Sequence, residues 1–112
     1  MKFSESLKKN KDFHIVYNYG DSKADSYLVM YVRPNGLNEN RLGISVSKKI
    51  GNSVVRHHLT RLIRESYRLH EDMFNSGLDI VVVARKSAAS ISYHDMESAL
   101  LHLFRLNKKI KE

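Results

Sequence analysis

The chain has 112 residues, of which 42% are hydrophobic and 28% charged, and it contains no cysteine. This length fits one domain, residues 1–112, and the missing thiols exclude disulfides, cysteine-ligated zinc and cysteine nucleophiles. No apolar run approaches the roughly 18–20 residues of a membrane helix, and the N-terminus lacks the apolar stretch of a signal peptide. We therefore expect a protein that stays where it is made, with no membrane partner.

Basic residues are concentrated in one part of the chain. The formal net charge is +7, and residues 41–70 contribute seven basic side chains against one acid, Glu65. Residues 1–40 hold six basic and five acidic side chains, and residues 71–112 hold six of each. Positive charge concentrated in one segment predicts a surface that binds a polyanion. The alternative is that these basic side chains form an ordinary solvent-exposed face with no ligand.

The first predicted elements are a short helix and a short strand. The helix covers Lys11–Tyr19, with Asn10 as its N-cap and Gly20 as the residue that stops it. The short strand is expected near Ser22–Asp25.

Three longer strands follow from β-rich or alternating segments. Tyr27–Arg33 ends at a Pro-Asn-Gly turn, and Arg41–Ser47 alternates apolar with small residues. We expect these two strands to pair as antiparallel neighbours. Asp79–Ala84 is apolar on both faces, which predicts a central place in the sheet.

Two longer helices complete the prediction. One covers Ser53–Phe74, and the other opens at a capping box that begins with Ser92. The last helix places five apolar residues toward the core: Met96, Ala99, Leu100, Leu103 and Phe104. Residues 107–112 are polar and are expected to fray. The order α-β-β-(β)-α-β-α, which allows for one further short strand, predicts an α+β sandwich in which helices pack on a mixed sheet.

The long helix has an apolar and a basic face. Five residues within an arc of about 80° are expected to face the sheet: Val55, Leu59, Leu62, Leu69 and Met73. The opposite arc holds Ser53, His57, Thr60, Arg61, Arg64 and Arg68. Arginines one turn apart repel each other, and guanidinium groups bind phosphate oxygens well. Lys48 and Lys49 precede the helix, whose free N–H groups also attract anions. This face therefore predicts nucleic-acid binding.

A second surface has aromatic character. One face of the first long strand carries Tyr27, Val29 and Tyr31, and the next strand offers small residues: Gly43, Ser45 and Ser47. Aromatic rings beside small residues form a shelf on which single-stranded bases stack. The alternative is that the tyrosines pack under the first helix. Phe13 and Tyr17 fit either the core or this shelf.

Catalytic chemistry by the chain itself has little support. The aspartates are scattered, the six histidines lack metal-ligand spacing, and the Walker spacing of nucleotide hydrolases is absent. His70 and His94 are expected to be surface residues. We predict no catalytic residue and no metal ligand in the chain.

The stretch RLGISVSKKIGNSVVRHHLTRLIRESYR resembles the signature of the bacterial ribonuclease P protein component. The likeness continues in LKKNKDFHIVYNYG, DIVVVARKSAA and the C-terminal LLHLFR. It implies a cytoplasmic subunit that joins a catalytic RNA and helps to remove the 5′ leader of precursor tRNA. By the same resemblance, we expect the RNA to perform the endonucleolytic chemistry with Mg²⁺ that the protein alone does not bind, and we expect no protein partner to be required. The family fold includes a left-handed β-α-β crossover.

The resemblance also assigns residues to two surfaces. Arg56, Arg61 and Arg64 match the basic motif for the catalytic RNA. The cleft for the leader corresponds to Phe13, Tyr17, Val29, Tyr31, Ser45 and Ser47. The motif usually reads Arg-Asn-Arg with a lysine two residues later, whereas His57, His58 and Thr60 stand here. A basic module of another ribonucleoprotein, such as a ribosomal protein, is the alternative function.

Overall fold

A computed structural model describes residues 4–107 of the chain. Its strands and helices follow one another along the chain in this order: β1 Ser4–Ser6, α1 Asn10–Tyr19, β2 Asp21–Ala24, β3 Leu28–Pro34, β4 Asn40–Ser45, α2 Ser53–His70, β5 Leu78–Ala84 and α3 Tyr93–Leu106. Short 3-10 turns cover Glu71–Met73 and Lys86–Ala88. Within residues 4–107, no helix is long and apolar enough to cross a membrane.

The five strands form one mixed sheet in the order β1-β4-β5-β3-β2. β5 is parallel to β4 and antiparallel to β3, which confirms its central place. The expected antiparallel pairing of β3 with β4 is wrong, because β5 lies between them. A strand that is apolar on both faces buries the most apolar surface when it lies at the centre of a sheet. The helix α2 connects β4 to β5 and so allows these two strands to run parallel. The strand predicted near Ser22–Asp25 is confirmed as β2, at the edge.

The N-terminal part of the fold differs from the prediction in detail. β1 is a polar three-residue strand with no apolar pattern, and it forms through parallel pairing with β4. α1 begins one residue early, so Lys9 rather than Asn10 occupies the N-cap. Gly20 stops α1 with an ordinary φ of −83°. It is required there by close packing, since a Cβ would lie 2.6 Å from the Val16 carbonyl oxygen. Fraying was predicted for residues 107–112. Asn107 is the C-cap of the last helix, where its N–H donates to the Leu103 carbonyl at 3.0 Å, and residues 108–112 lie outside the described residues.

Helices cover both faces of the sheet. On one face α2 and α3 enclose the larger core, in which the rings of Phe74 and Phe104 stack with centroids 3.7 Å apart. The five core positions predicted for α3 are all buried. On the opposite face α1 covers a small second core built around Leu7, Val16 and Val81. The two sides of the sheet therefore carry different helices.

The buried face of α2 is displaced from the predicted arc. Leu59 is buried as expected, but Leu69 and Met73 are 51% and 37% exposed, while Ile63 and Tyr67 are fully buried. At 100° per residue, the buried side is rotated by about 70° from the prediction. The cause is that α2 packs against α3 as well as the sheet, and the helical segment ends at His70.

Candidate nucleic-acid interface

The outer face of α2 presents basic side chains to solvent. His57, Arg61, Arg64 and Arg68 are all exposed, as the helical spacing predicted. Asn52 caps the helix by accepting a hydrogen bond from the Val55 N–H at 3.0 Å. The capped first turn directs its remaining N–H groups outward, which favours anions at this end.

The exposed arginines of α2 differ in whether they form an ion pair within the helix. Arg68 forms an ion pair with Glu65 one turn earlier, and this hydrogen bond lowers the pKa of the Glu65 carboxyl. Arg61 and Arg64 have no ion-pair partner among residues 4–107. Their guanidinium groups are the side chains of this face most available to an external phosphate.

Arg56 lies at the edge of a groove between α2 and the end of β4. Its side chain is half-buried, and its Nε is buried with no hydrogen-bond partner in the described part of the chain. The groove is also lined by Ile44, Val46, Ser53, His57 and Thr60. Arg56 therefore places a half-buried cation on one wall of this groove, which favours an anion such as phosphate there.

Lys48 and Lys49 lie in the turn that connects β4 to α2. Both side chains are exposed. The Ser47 carbonyl and hydroxyl oxygens hold the turn by accepting from the N–H groups of Ile50 and Lys49, at 3.1 and 3.2 Å. The two lysines thus continue the basic face beyond the start of α2.

A cleft with aromatic residues lies on the other side of the sheet, where α1 crosses the strands. Phe13 sits directly over Gly43, since a Cβ at that glycine would lie 2.6 Å from its ring Cζ. Tyr17 packs edge-on against Tyr31 of β3, with ring centroids 5.0 Å apart. Gly43, Val81 and Tyr31 are register partners across β4, β5 and β3. α1 therefore crosses the sheet along this row of residues.

The next row of residues toward the end of β4 and β5 forms an open floor beside α1. Ser45, Val83 and Val29 are register partners in β4, β5 and β3, and all three are half-buried. Phe13, Tyr17 and Tyr31 border this floor and are half-buried too. The structure thus brings five of the six residues expected for the leader cleft together. The sixth, Ser47, is exposed beyond the end of β4.

Tyr27 does not share this surface, so the expectation that it lies beside Val29 and Tyr31 is wrong. It precedes β3 and packs against the larger core on the opposite side of the sheet. The reason is that the chain turns between β2 and β3, where the Asp25 carboxylate accepts from the N–H groups of Tyr27 and Leu28. Strand alternation does not extend through that turn.

The matching family model, Ribonuclease P, aligns with residues 1–108. The chain belongs to the ribonuclease P protein family. Family membership makes it a ribonuclease P component, connected with tRNA processing, and implies the ribonuclease P RNA as its partner.

Relatives and solved structures agree with this assignment. The chain is 60% identical over 107 residues to the ribonuclease P protein component of Lachnoclostridium phytofermentans, covering 96% of this chain and 92% of the relative. The solved structure of the Staphylococcus aureus RNase P protein is 36% identical, with a TM-score of 0.88 and coverage of 95% and 97%. The Thermotoga maritima RNase P protein is 32% identical, with a TM-score of 0.84 and coverage of 91% and 96%. The predicted α+β fold is confirmed.

One contact that positions the cleft in this ribonuclease P protein was missed by sequence reasoning. Arg41 of β4 donates two hydrogen bonds to the buried Asp79 carboxylate of β5, and it lies 3.7 Å from Asp12 of α1. Asn35 also donates to Asp79, at 3.0 Å. This network ties α1 to the sheet on the side away from the open floor. The only sequence signal was an aspartate at the start of an apolar strand.

Proposed function

We propose that the chain is the protein subunit of ribonuclease P, which assists RNA-catalysed removal of 5′ leaders from precursor tRNA in the cytoplasm. The basic face of α2, with Lys48 and Lys49, binds the catalytic RNA. The cleft between α1 and the sheet binds the single-stranded leader. The observation that carries this proposal is that two chemically different surfaces lie on opposite faces of one five-stranded sheet.

The basic face has the chemistry that a folded RNA requires. Arg61 and Arg64 are exposed and without an ion-pair partner among residues 4–107, and Arg56 lines the adjoining groove. Arginine binds phosphate in a bidentate manner and stacks on bases. A helix that presents such side chains along one exposed face suits the backbone of structured RNA.

The cleft has the chemistry that a single strand requires. Aromatic rings at its edge and small or apolar residues on its floor favour base stacking over readout of a duplex. Phe13, Tyr17 and Tyr31 keep part of their rings accessible while α1 holds them in place. The serine hydroxyl of Ser45 adds a hydrogen-bonding group to the floor.

In this proposal the RNA subunit performs phosphodiester hydrolysis with Mg²⁺ that it binds itself. The protein acts by binding and positioning the substrate, since the groups on its two surfaces are cations, aromatic rings and hydroxyls. Cleavage therefore requires the cognate RNA. If the purified protein alone cleaves precursor tRNA at the mature 5′ end, catalysis by the RNA is refuted.

The two surfaces are separable by mutation in the reconstituted holoenzyme. Arg61→Ala with Arg64→Ala is expected to weaken assembly with the catalytic RNA, and to make its salt dependence shallower by about 0.7–0.9 per lost phosphate contact. Tyr31→Ala is expected to lower affinity for precursor tRNA by about 1–3 kcal/mol while sparing mature tRNA.

Controls distinguish this proposal from its alternatives. Thermal unfolding of each variant shows whether the fold is intact. Equal losses for leader-bearing and leaderless tRNA in both variants would contradict the assignment of two surfaces. Sequencing of the RNA that co-purifies with the tagged protein tests the other function: recovery of a ribosomal RNA fragment instead of ribonuclease P RNA would favour a ribosomal module.

A further inference from the structure

The charge of the long helix α2 changes along its axis. Residues 48–64, which lead into the helix and form its first two thirds, contain five lysines and arginines and no acid. Residues 65–72, which end it, contain three acids and one arginine: Glu65, Glu71, Asp72 and Arg68. The helix dipole has the same sense, because it places partial positive charge at the N-terminus and partial negative charge at the C-terminus. Attraction for an RNA backbone therefore decreases toward the end of α2.

Glu65 lies at the point where the charge changes. It follows Arg61 by one helical turn and precedes Arg68 by one turn, and all three side chains are exposed. Both oxygens of its carboxylate accept hydrogen bonds from Arg68, one from Nη2 and one from Nε at 3.1 Å. This pairing, together with the charges of Arg68 and Arg61, holds the pKa of the Glu65 carboxyl below its usual value. The basic face therefore contains a fixed negative charge at neutral pH.

The pair changes what Arg68 offers to a phosphate. A phosphate that approaches its guanidinium also meets the Glu65 carboxylate, since the two side chains are equally exposed, at 47% each. Glu71 adds a second negative charge near the same guanidinium. An exposed pair at this spacing contributes little to stability, so its main effect is to cancel the charge of Arg68. Arg61 and Arg64 have no ion-pair partner within residues 4–107 and keep their full charge.

We propose that Glu65 is a specificity-determining residue, which ends the phosphate-binding face of α2 after Arg64 and rejects RNA whose backbone continues along the helix toward Arg68. An RNA that fits the face leaves the helix near Arg64 and avoids the carboxylate, whereas a backbone that follows the whole helix is repelled by it. Repulsion of the wrong ligand gives specificity without any contact to the right one. This inference rests on the proposed function, because it takes the α2 face as the site for the catalytic RNA.

The test compares wild type and Glu65→Gln in binding to two ligands, the ribonuclease P RNA and an RNA duplex of unrelated sequence that is longer than α2. Glutamine keeps the size of the side chain and removes its charge. Affinity for the unrelated duplex is expected to rise several-fold, and its salt slope is expected to become steeper by about 0.7–0.9, from one added phosphate contact at Arg68. Affinity for the ribonuclease P RNA is expected to change little, so the ratio of the two affinities falls.

Two further variants separate the local effect of Glu65 from net charge. Asp72→Asn is the matched control, because Asp72 is an exposed acid just beyond α2 and forms no ion pair within residues 4–107. It removes the same unit of charge and is expected to leave the salt slope unchanged. Arg68→Ala is expected to affect neither RNA much in wild type and to abolish the gain in the Glu65→Gln background, which completes a double-mutant cycle. Thermal unfolding of each variant checks that the fold is intact.

The outcomes distinguish this role of Glu65 from the proposed function. If Glu65→Gln raises affinity for the unrelated duplex no more than Asp72→Asn does, or raises affinity for both RNAs equally, Glu65 does not determine specificity. A loss of affinity for the ribonuclease P RNA on replacing Arg68 in wild type overturns the proposal too, because the RNA then reaches past Glu65. The proposed function fails separately, if Arg61→Ala with Arg64→Ala leaves binding of the ribonuclease P RNA unchanged.

Discussion

A substitution at Gly43 tests whether the position of the Phe13 ring governs leader binding. An alanine Cβ at residue 43 would lie 2.6 Å from the Phe13 Cζ, 2.8 Å from its Cε1 and 3.2 Å from the Leu7 Cδ2. The first two distances are shorter than any stable carbon contact, so the ring must move away from the sheet. Gly43→Ala therefore displaces one wall of the cleft without removing any of its side chains.

The stability change follows from two opposing effects. Forcing a methyl group into this contact costs about 1–3 kcal/mol, whereas replacing glycine by alanine recovers about 0.5–1 kcal/mol by restricting the unfolded chain. The net destabilisation is at most about 2.5 kcal/mol, which corresponds to a fall in Tm of up to about 10 °C for a domain of this size. Affinity for leader-bearing substrate is expected to fall by up to about 1–3 kcal/mol as the stacking position of Phe13 is lost.

A second substitution separates stability from binding. Leucine lacks the Cζ and Cε1 atoms that the added methyl group would meet, so Phe13→Leu in the Gly43→Ala background is expected to restore much of the stability but not the leader affinity. Urea unfolding and equilibrium binding of the four proteins complete a double-mutant cycle. Additive effects on stability, or unchanged leader affinity in Gly43→Ala, would refute the reasoning that the glycine sets the ring position.

One further prediction concerns pH. The hydrogen bond from His70 lowers the pKa of Glu97 below its ordinary value of 4.5. That stabilisation is present above the ordinary value and is lost as pH falls through the lowered one. Urea unfolding of Glu97→Gln is therefore expected to show a shallower acid-induced loss of stability than wild type.

Local patterns carried much of the information about the site. Apolar periodicity, capping residues and turns are properties of neighbouring residues, so the sequence predicted where α2, α3 and β5 lie along the chain. Helical spacing likewise predicted that Arg61, Arg64 and Arg68 of α2 face the solvent. The resemblance to the family then assigned Phe13, Tyr17 and Tyr31 to one cleft, and the structure places these three rings around a common floor.

Only the tertiary structure decided which elements meet. Strand order depends on the total surface that each arrangement buries, so β5 lies between β3 and β4 although those two strands are neighbours in the sequence. The polar β1 forms a strand only because it pairs with the edge of β4. The rotation of α2 likewise follows from its contact with α3, which leaves Leu69 half-exposed. The Arg41–Asp79 pair joins residues 38 positions apart, because parallel pairing of β4 with β5 brings together the starts of two strands that the chain itself separates.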